Sequence, residues 1–308
     1  MNSAVALIIF NRPDCTAMTL AAIRAARPPR LFVIADGPRA HRPEDAAMCA
    51  AARKVVDEGV DWPCEVERNY SDTNLGCGIR PATGLTWAFS RSERLIVLED
   101  DCVPDPSFFW FCDEMLERYA DDSRGGQISG CPCHFSTIDR PTSYIFSRNG
   151  PCWGWASWRR AWDSYDITMA SWPEFSASAA VSTLGFSPAE RVRRIALYGS
   201  LYKTQRTDVW DYQWSYAKAR RGMLSIMPCR NLIENVGFDG GGTHFAPGSK
   251  FGLVRSHLER PLRHPELVVP DARFDRAYSE EFLSTHGAPL WRRAIRKVRR
   301  ILKVPVTA

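Results

Sequence analysis

Short apolar runs of strand character alternate with helical stretches through the first 130 residues, and few architectures accommodate that alternation. Val5–Phe10, Leu31–Ala35, Glu65–Arg68, Leu95–Leu98 and Gln127–Ser129 read as strands. Between them lie four helices. Asp14 stands where a side-chain cap for Cys15–Ala26 is expected, Glu44–Glu58 is rich in alanine, Pro81–Ser90 carries Leu85, Trp87 and Phe89, and Pro106–Tyr119 opens on a proline whose missing N–H costs nothing there. The pattern predicts an α/β fold with an open, mostly parallel, doubly wound sheet. At 308 residues the chain has room for one large domain of this kind or two modest ones.

Ligands of such sheets bind beyond the carboxyl ends of the strands, so the residues following each strand are the first candidates. They are Asn11 and Arg12, then Asp36 and Gly37, then Asn69, then Glu99, Asp100 and Asp101. Asn74-Leu75-Gly76-Cys77-Gly78 adds a glycine-bearing turn ahead of a helix. The densest signal is LIVLEDDCVPDP, Leu95 to Pro106, where an apolar strand runs straight into three carboxylates. A period of two puts Glu99 and Asp101 on one side and Asp100 on the other. Carboxylates crowded at a strand end are tolerable when a divalent cation neutralises them, and hard oxygen ligands suit Mg²⁺ or Mn²⁺ bridging to a substrate phosphate.

Composition narrows the class further. With 45% hydrophobic and 24% charged residues the chain is a globular mixture rather than a disordered one. Its ten cysteines are scattered, and MNSAVALIIFNRP lacks the basic segment and the apolar length of a secretory signal, so the expectation is reduced thiols and a cytoplasmic protein. Cys131, Cys133 and His134 look like half a metal site with no second pair at finger-like spacing, which favours ordinary loop and core roles. From about Asn149 the alternation fades and tryptophans gather at 153, 155, 158, 162 and 172. Trp155, Trp158 and Trp162 have helical spacing and suit a packed face, whereas Trp153 and Trp155 in NGPCWGW also suit the apolar faces of sugar rings.

Several segments in order resemble the nucleotide-sugar glycosyltransferases of GT-A fold. LIVLEDD followed by PDPSFF resembles their metal-binding segment in its EDD form, found in N-acetylglucosaminyltransferase I and in bacterial family-2-like relatives. FNRPDCTAMTLAAIRA is similar to the first strand and helix, IADGP to the nucleotide-contacting turn, and NLGCGIRPATGLTWAF to the helix before the acidic segment. GPCWGWASWRRAW resembles the acceptor-side segment and VWDYQW a later acidic one. The likeness spans roughly residues 4 to 245. It implies that Asp101 holds the metal, Glu99 and Asp100 meet the donor's sugar and ribose, and Asp36 lies beside the base. Gly37 belongs to the same turn. Arg12 is implied near the diphosphate or the acidic triplet, and Arg80 near the nucleotide. Trp153 and Trp155 fall on the acceptor side.

Inverting sugar transfer needs a base for the acceptor hydroxyl. Asp211, between Trp210 and Tyr212, is the best candidate, because desolvation there would raise its pKa, with Asp208 as the alternative. His244, after three glycines, stands where many members of the fold place a late metal ligand. The expected layout is a catalytic domain over residues 1–250, with a nucleotide-sugar half at 1–130 and an acceptor half at 131–250, then an extension at 251–308. That extension ends in PLWRRAIRKVRRILKV, where Trp291, Ile295, Val298 and Leu302 form a stripe among seven basic residues. Residues 289–303 therefore read as a cationic amphipathic helix suited to an anionic membrane surface, with no nucleic acid as partner. The expected activity is metal-dependent transfer from a UDP-sugar to a glycan or lipid-linked acceptor in envelope polysaccharide synthesis, at the inner face of a bacterial membrane. The rivals are a sugar nucleotidyltransferase, which wants a glycine-rich phosphate loop that FNRPDCT lacks, and an inactive membrane-associated binding protein.

Overall fold

The computed structural model describes residues 1–132, 140–237 and 254–286. The first half follows the expected alternation: β1 (Ala4–Ile9), α1 (Pro13–Ala26), β2 (Arg30–Ala35), α2 (Glu44–Gly59), β3 (Glu65–Tyr70), α3 (Gly76–Phe89), β4 (Arg94–Glu99), β5 (Cys102–Pro104), α4 (Pro106–Arg118) and β6 (Gly125–Ser129). The second half adds β7 (Tyr144–Ser147), β8 (Trp155–Trp158), α5 (Arg159–Trp162), α6 (Trp172–Ala177), α7 (Pro188–Thr204), α8 (Asp211–Arg221), β9 (Leu224–Pro228), β10 (Ile233–Asn235) and α9 (Ala272–His286).

Eight of these strands form one sheet in the order β3-β2-β1-β4-β8-β6-β9-β7. It is parallel through β3-β2-β1-β4 and between β6 and β9, and antiparallel where β8 and β7 insert. β6 lies between β8 and β9, so residues on both sides of position 130 share one sheet. Apolar side chains alternate to its two faces. Leu20, Val56 and Phe111 from α1, α2 and α4 pack one face with Val5, Leu7 and Ile96. Leu85, Trp162 and Trp214 from α3, α5 and α8 pack the other with Ala6, Phe32 and Val97. Helices on both faces make the sheet doubly wound.

Several local expectations are corrected. Asp14 makes no cap: α1 begins at Pro13, Arg12 occupies the cap position, and Asp14 lies in the first turn. α3 starts at Gly76 rather than Pro81, which lies inside it. The early start is imposed from outside, because the Asp36 carboxylate accepts the N–H groups of Leu75 and Gly76. Trp155 and Trp158 are not on a helix. They end β8 on opposite faces, Trp155 packing near Trp162, Trp210 and Trp214 and Trp158 donating its indole N–H to Leu116. The short strands β5 and β7 to β10 are not among the expected strands, since runs of three to five residues are too short to show a period-two pattern.

Within the 251–308 extension, α9 packs on α7 and β7. Its fully buried Asp275 accepts bonds from the Ser147 hydroxyl (2.7 Å) and Arg148 Nη1 (3.0 Å). Residues 289–303, the expected amphipathic helix, lie outside the described residues, as do His244, Cys133 and His134. Among the described residues no helix is long and apolar enough to cross a membrane.

The segment leading into α8 rests on the amino end of α3, and Gly78 makes this possible. A Cβ there would run into the Thr207 carbonyl and stand 2.7 Å from the Val209 nitrogen. Gly78→Ala is expected to push residues 207–209 away and lower stability by about 1–3 kcal/mol, as overpacking does. Chemical denaturation of the two proteins checks this; an unchanged midpoint would refute the close approach.

Candidate active site

The strand order runs outward from β1 through β2 to β3 on one side and to β4 on the other, so the crevice between β1 and β4 is the topological switch point. Arg12 follows β1 and the acidic triplet follows β4, and the two meet there. Arg12 Nη2 bonds Asp100 Oδ1, and Nη1 bonds Asp101 Oδ2 at 3.0 Å. Thr19 of α1 donates to the Asp100 carbonyl at 2.8 Å and fixes the turn from beneath. β5 and β10 pair as a separate ribbon that carries Val236 onto the Asp101 carbonyl and Gly237 against the Arg12–Asp101 pair. A Cβ at 237 would collide with the Asp101 carboxylate.

The grouping differs from the period-two expectation. β4 ends at Glu99, and Asp100 and Asp101 lie in a turn, so these two converge on Arg12. Glu99 keeps the parity of Leu95 and Val97 and belongs to the α3 and α8 face. Burial, then Asp101, Asp100 and Asp211, push its pKa up to about 8. Asp100 is raised to about 6, mainly by burial, with Arg12 opposing. Burial alone would lower the pKa of Arg12, but the charges of Asp100 and Asp101 more than reverse it. The crevice thus holds more negative charge than one guanidinium neutralises.

Asp211 is the first residue of α8 and is exposed, contrary to the expected desolvation. Its charge helps to raise Glu99, Cys77 and Cys152, so it lies near Glu99 and the start of α3. It is also the acid in the first turn of α8. Asp208 is held in a two-pronged, solvent-exposed pair by Arg206, at 2.7 and 2.6 Å.

Asp36 and Arg80 build the rim. Both Asp36 oxygens are occupied, Oδ1 by the N–H groups of Gly37 and Leu75 and Oδ2 by Gly76 N–H and the Asn74 amide. Gly37 lets this turn close, since its Cβ would stand 2.6 Å from the Thr73 backbone. Arg80 is buried, with Nε on the Ala35 carbonyl (3.1 Å) and Nη2 on the Asn69 carbonyl and side chain. Asn11 donates to Asp45, which also receives Arg39. The guanidinium bonds of Arg80 thus go to strand ends, contrary to the implied nucleotide contact, and the Asp36 carboxylate is spent on the turn rather than left free.

Trp155 is corrected as an acceptor contact. It is 1% exposed and lies within the aromatic core. Trp153 is half-buried beside the core on the α4 face. Its turn is held by a buried network in which Gln127 Nε2 and the Ser129 hydroxyl bond the Pro151 carbonyl at 2.8 and 2.9 Å. Lys218, lowered to about 8 by burial, donates to Gln127 and to Ser225 (2.8 Å). Sequence reasoning missed this network, the Thr19 contact and Gly237, because each depends on residues far apart in the chain.

Among the described residues no three metal-ligating side chains come together. The donor chemistry nevertheless fits a divalent ion held by one or two carboxylates and completed by substrate phosphates. Asp100 and Asp101 offer hard oxygens, and Asp100 Oδ2 is buried with no hydrogen-bond partner.

No family model matches the chain, and no curated protein matches it at a significant level. Similar solved structures include apo mouse xyloside xylosyltransferase 1, at 12% identity over 70% of this chain and 81% of that one, TM-score 0.34. The galactosyltransferase LgtC with donor and acceptor sugar analogues is 10% identical over 72% and 86%, TM-score 0.32. The 4-diphosphocytidyl-2C-methyl-D-erythritol synthase of Anaerococcus prevotii is 10% identical over 58% and 78%, TM-score 0.31. At such scores the likeness carries neither activity nor site.

Glu99 has a testable consequence for stability. Its folded pKa of about 8 lies above its ordinary 4.5, so folding retains a proton that the unfolded chain releases between those values. Its contribution is most favourable below the ordinary value and is lost as pH rises through about 8. Glu99→Gln is expected to gain stability over the parent at about pH 8 and much less at about pH 5. Denaturant midpoints at the two pH values measure it, and a pH-independent difference would contradict the assignment.

Proposed function

We propose that the chain is a glycosyltransferase of GT-A type that moves a sugar from a nucleotide-sugar, a UDP-sugar, to a glycan or lipid-linked acceptor with inversion. The supporting observation is the switch-point crevice, where Arg12 and an acidic turn face an exposed carboxylate, Asp211, on a separate helix. One wall has the charges that bind a diphosphate with its cation; the other has a group able to take an acceptor proton. Asp101, with Asp100 beside it, would hold Mn²⁺ or Mg²⁺, which when bound neutralises the departing diphosphate. Arg12 orients the acidic turn. Asp211 accepts the hydroxyl proton as the acceptor oxygen attacks, and Glu99, at its raised pKa, can keep its own proton and act as a hydrogen-bond donor to the sugar. Trp153 lies on the acceptor side.

A sugar nucleotidyltransferase would need a phosphate-cradling loop after β1. Here β1 passes within a few residues into α1, with Arg12 already committed to the acids, which favours sugar transfer. The protein as a cytoplasmic enzyme on the inner face of a bacterial membrane, serving envelope polysaccharide synthesis, is part of the same proposal. The nine cysteines among the described residues are all free, in keeping with a reducing compartment.

Incubation with Mn²⁺ and a panel of nucleotide sugars should release nucleoside diphosphate slowly; no release from any donor would refute the activity. With a competent acceptor, Asp211→Asn should lower kcat by about 100-fold or more at unchanged UDP affinity, because an amide cannot take the proton. If Asp208→Asn shows that loss and Asp211→Asn does not, their roles are exchanged.

The basic segment supplies the proposed membrane contact. Deleting residues 289–308 should abolish sedimentation with vesicles of anionic lipid and leave donor hydrolysis intact, while high salt weakens binding of the full chain only in part. Retained sedimentation after deletion would overturn the contact.

A further inference from the structure

Arg12 holds Asp101, the carboxylate of the acidic turn that a cation would more readily reach. Of the four oxygens on Asp100 and Asp101, Asp100 Oδ1 and Asp101 Oδ2 are bonded to its guanidinium, and Asp100 Oδ2 is buried. Asp101 Oδ1 remains, 3.5 Å from the Cys102 thiol, on a side chain only 13% exposed. A divalent ion with one such oxygen is poorly held, and like charge so close to the guanidinium opposes it. The Arg12 side chain is 27% exposed, and its guanidinium has N–H groups beyond the two that meet the acids. Gly237 packs its backbone directly against the pair, where a Cβ would meet Asp101 Oδ2.

We propose that Arg12 is a stand-in cation that makes metal and nucleoside diphosphate bind together. Resting on the glycosyltransferase reading, it deepens that reading by assigning the order of assembly. In the ligand-free chain Arg12 competes with a divalent ion for Asp101. A diphosphate offers the guanidinium another anionic partner, which frees the Asp101 oxygens for the ion. Metal and diphosphate therefore raise each other's affinity, and the coupling runs through Arg12. No bond is made or broken in this exchange; one ion pair replaces another.

Mn²⁺ binding to the full chain is read by electron paramagnetic resonance of free Mn²⁺, with and without UDP, and UDP binding by calorimetry, with and without Mn²⁺. In the parent, UDP is expected to tighten Mn²⁺ binding by at least about fivefold, the low end of measured couplings. Arg12→Met should bind Mn²⁺ alone more tightly than the parent and lose most of the enhancement by UDP. Arg12→Lys keeps one charge but cannot bridge both acids, so its coupling should fall between, and it serves if Arg12→Met does not fold. Equal Mn²⁺ affinity in parent and variants, or coupling that survives both substitutions, overturns the role of Arg12 while leaving the glycosyltransferase reading in place. A parent that binds UDP under neither condition refutes that reading, and this inference with it.

Discussion

The bridge from Arg12 to Asp100 and Asp101 is the interaction on which the rest of the crevice depends. It joins the residue after β1 to the turn after β4, the two points where the direction of the sheet reverses. Asp100 is nearly inaccessible, so loss of its partner would leave a charge buried without compensation, which costs about 3–5 kcal/mol in comparable pairs. The bridge also shapes the charge of the site. It offsets part of the repulsion among the acids, while burial, the larger cause, still holds Glu99 and Asp100 above the ordinary carboxylate range.

Around that bridge the polar residues divide between building and reacting. Asp36 and Arg80 spend their hydrogen bonds on backbone groups of the strand ends and of the turn into α3, so they fix where the crevice opens. Gln127, Ser129, Lys218 and Ser225 do the same for the turn carrying Trp153, in a buried network where each unsatisfied member would be costly. Gly37 and Gly78 admit backbone contacts that any side chain would block. Among the described residues Asp211 stands exposed at the start of α8, and Arg12 is partly exposed.

The tryptophans show how far local pattern can mislead. A spacing of three and four residues suggested one helical face, yet Trp155 and Trp158 end a strand on opposite sides of the sheet. Trp155 joins Trp162 of α5 and Trp210 and Trp214 at the start of α8, with ring centroids 5.7 to 5.9 Å from its own. Offset pairs of this kind are worth about 0.5–1.5 kcal/mol each beyond burial. That cluster locks α8 to the sheet and so sets the position of Asp211.

The sequence by itself determined the α/β class, five of the six strands of the first half and the carboxyl-end residues that line the crevice. Those features depend on hydrophobic periodicity and on connectivity, which are local. It also singled out Arg12 beside the acidic turn. Tertiary structure decided which of the candidate groups remain available. Whether Asp36 is a ligand contact or a brace depends on the Asn74 amide and the Leu75 and Gly76 N–H groups that reach it, and whether Asp211 is buried depends on how α8 starts. The pairing of Asp100 with Asp101, instead of Glu99 with Asp101, follows from the strand ending one residue after Leu98, where the period of two no longer applies. Hydrogen bonds and ion pairs between segments dozens of residues apart made these choices, and no window of sequence contains both partners.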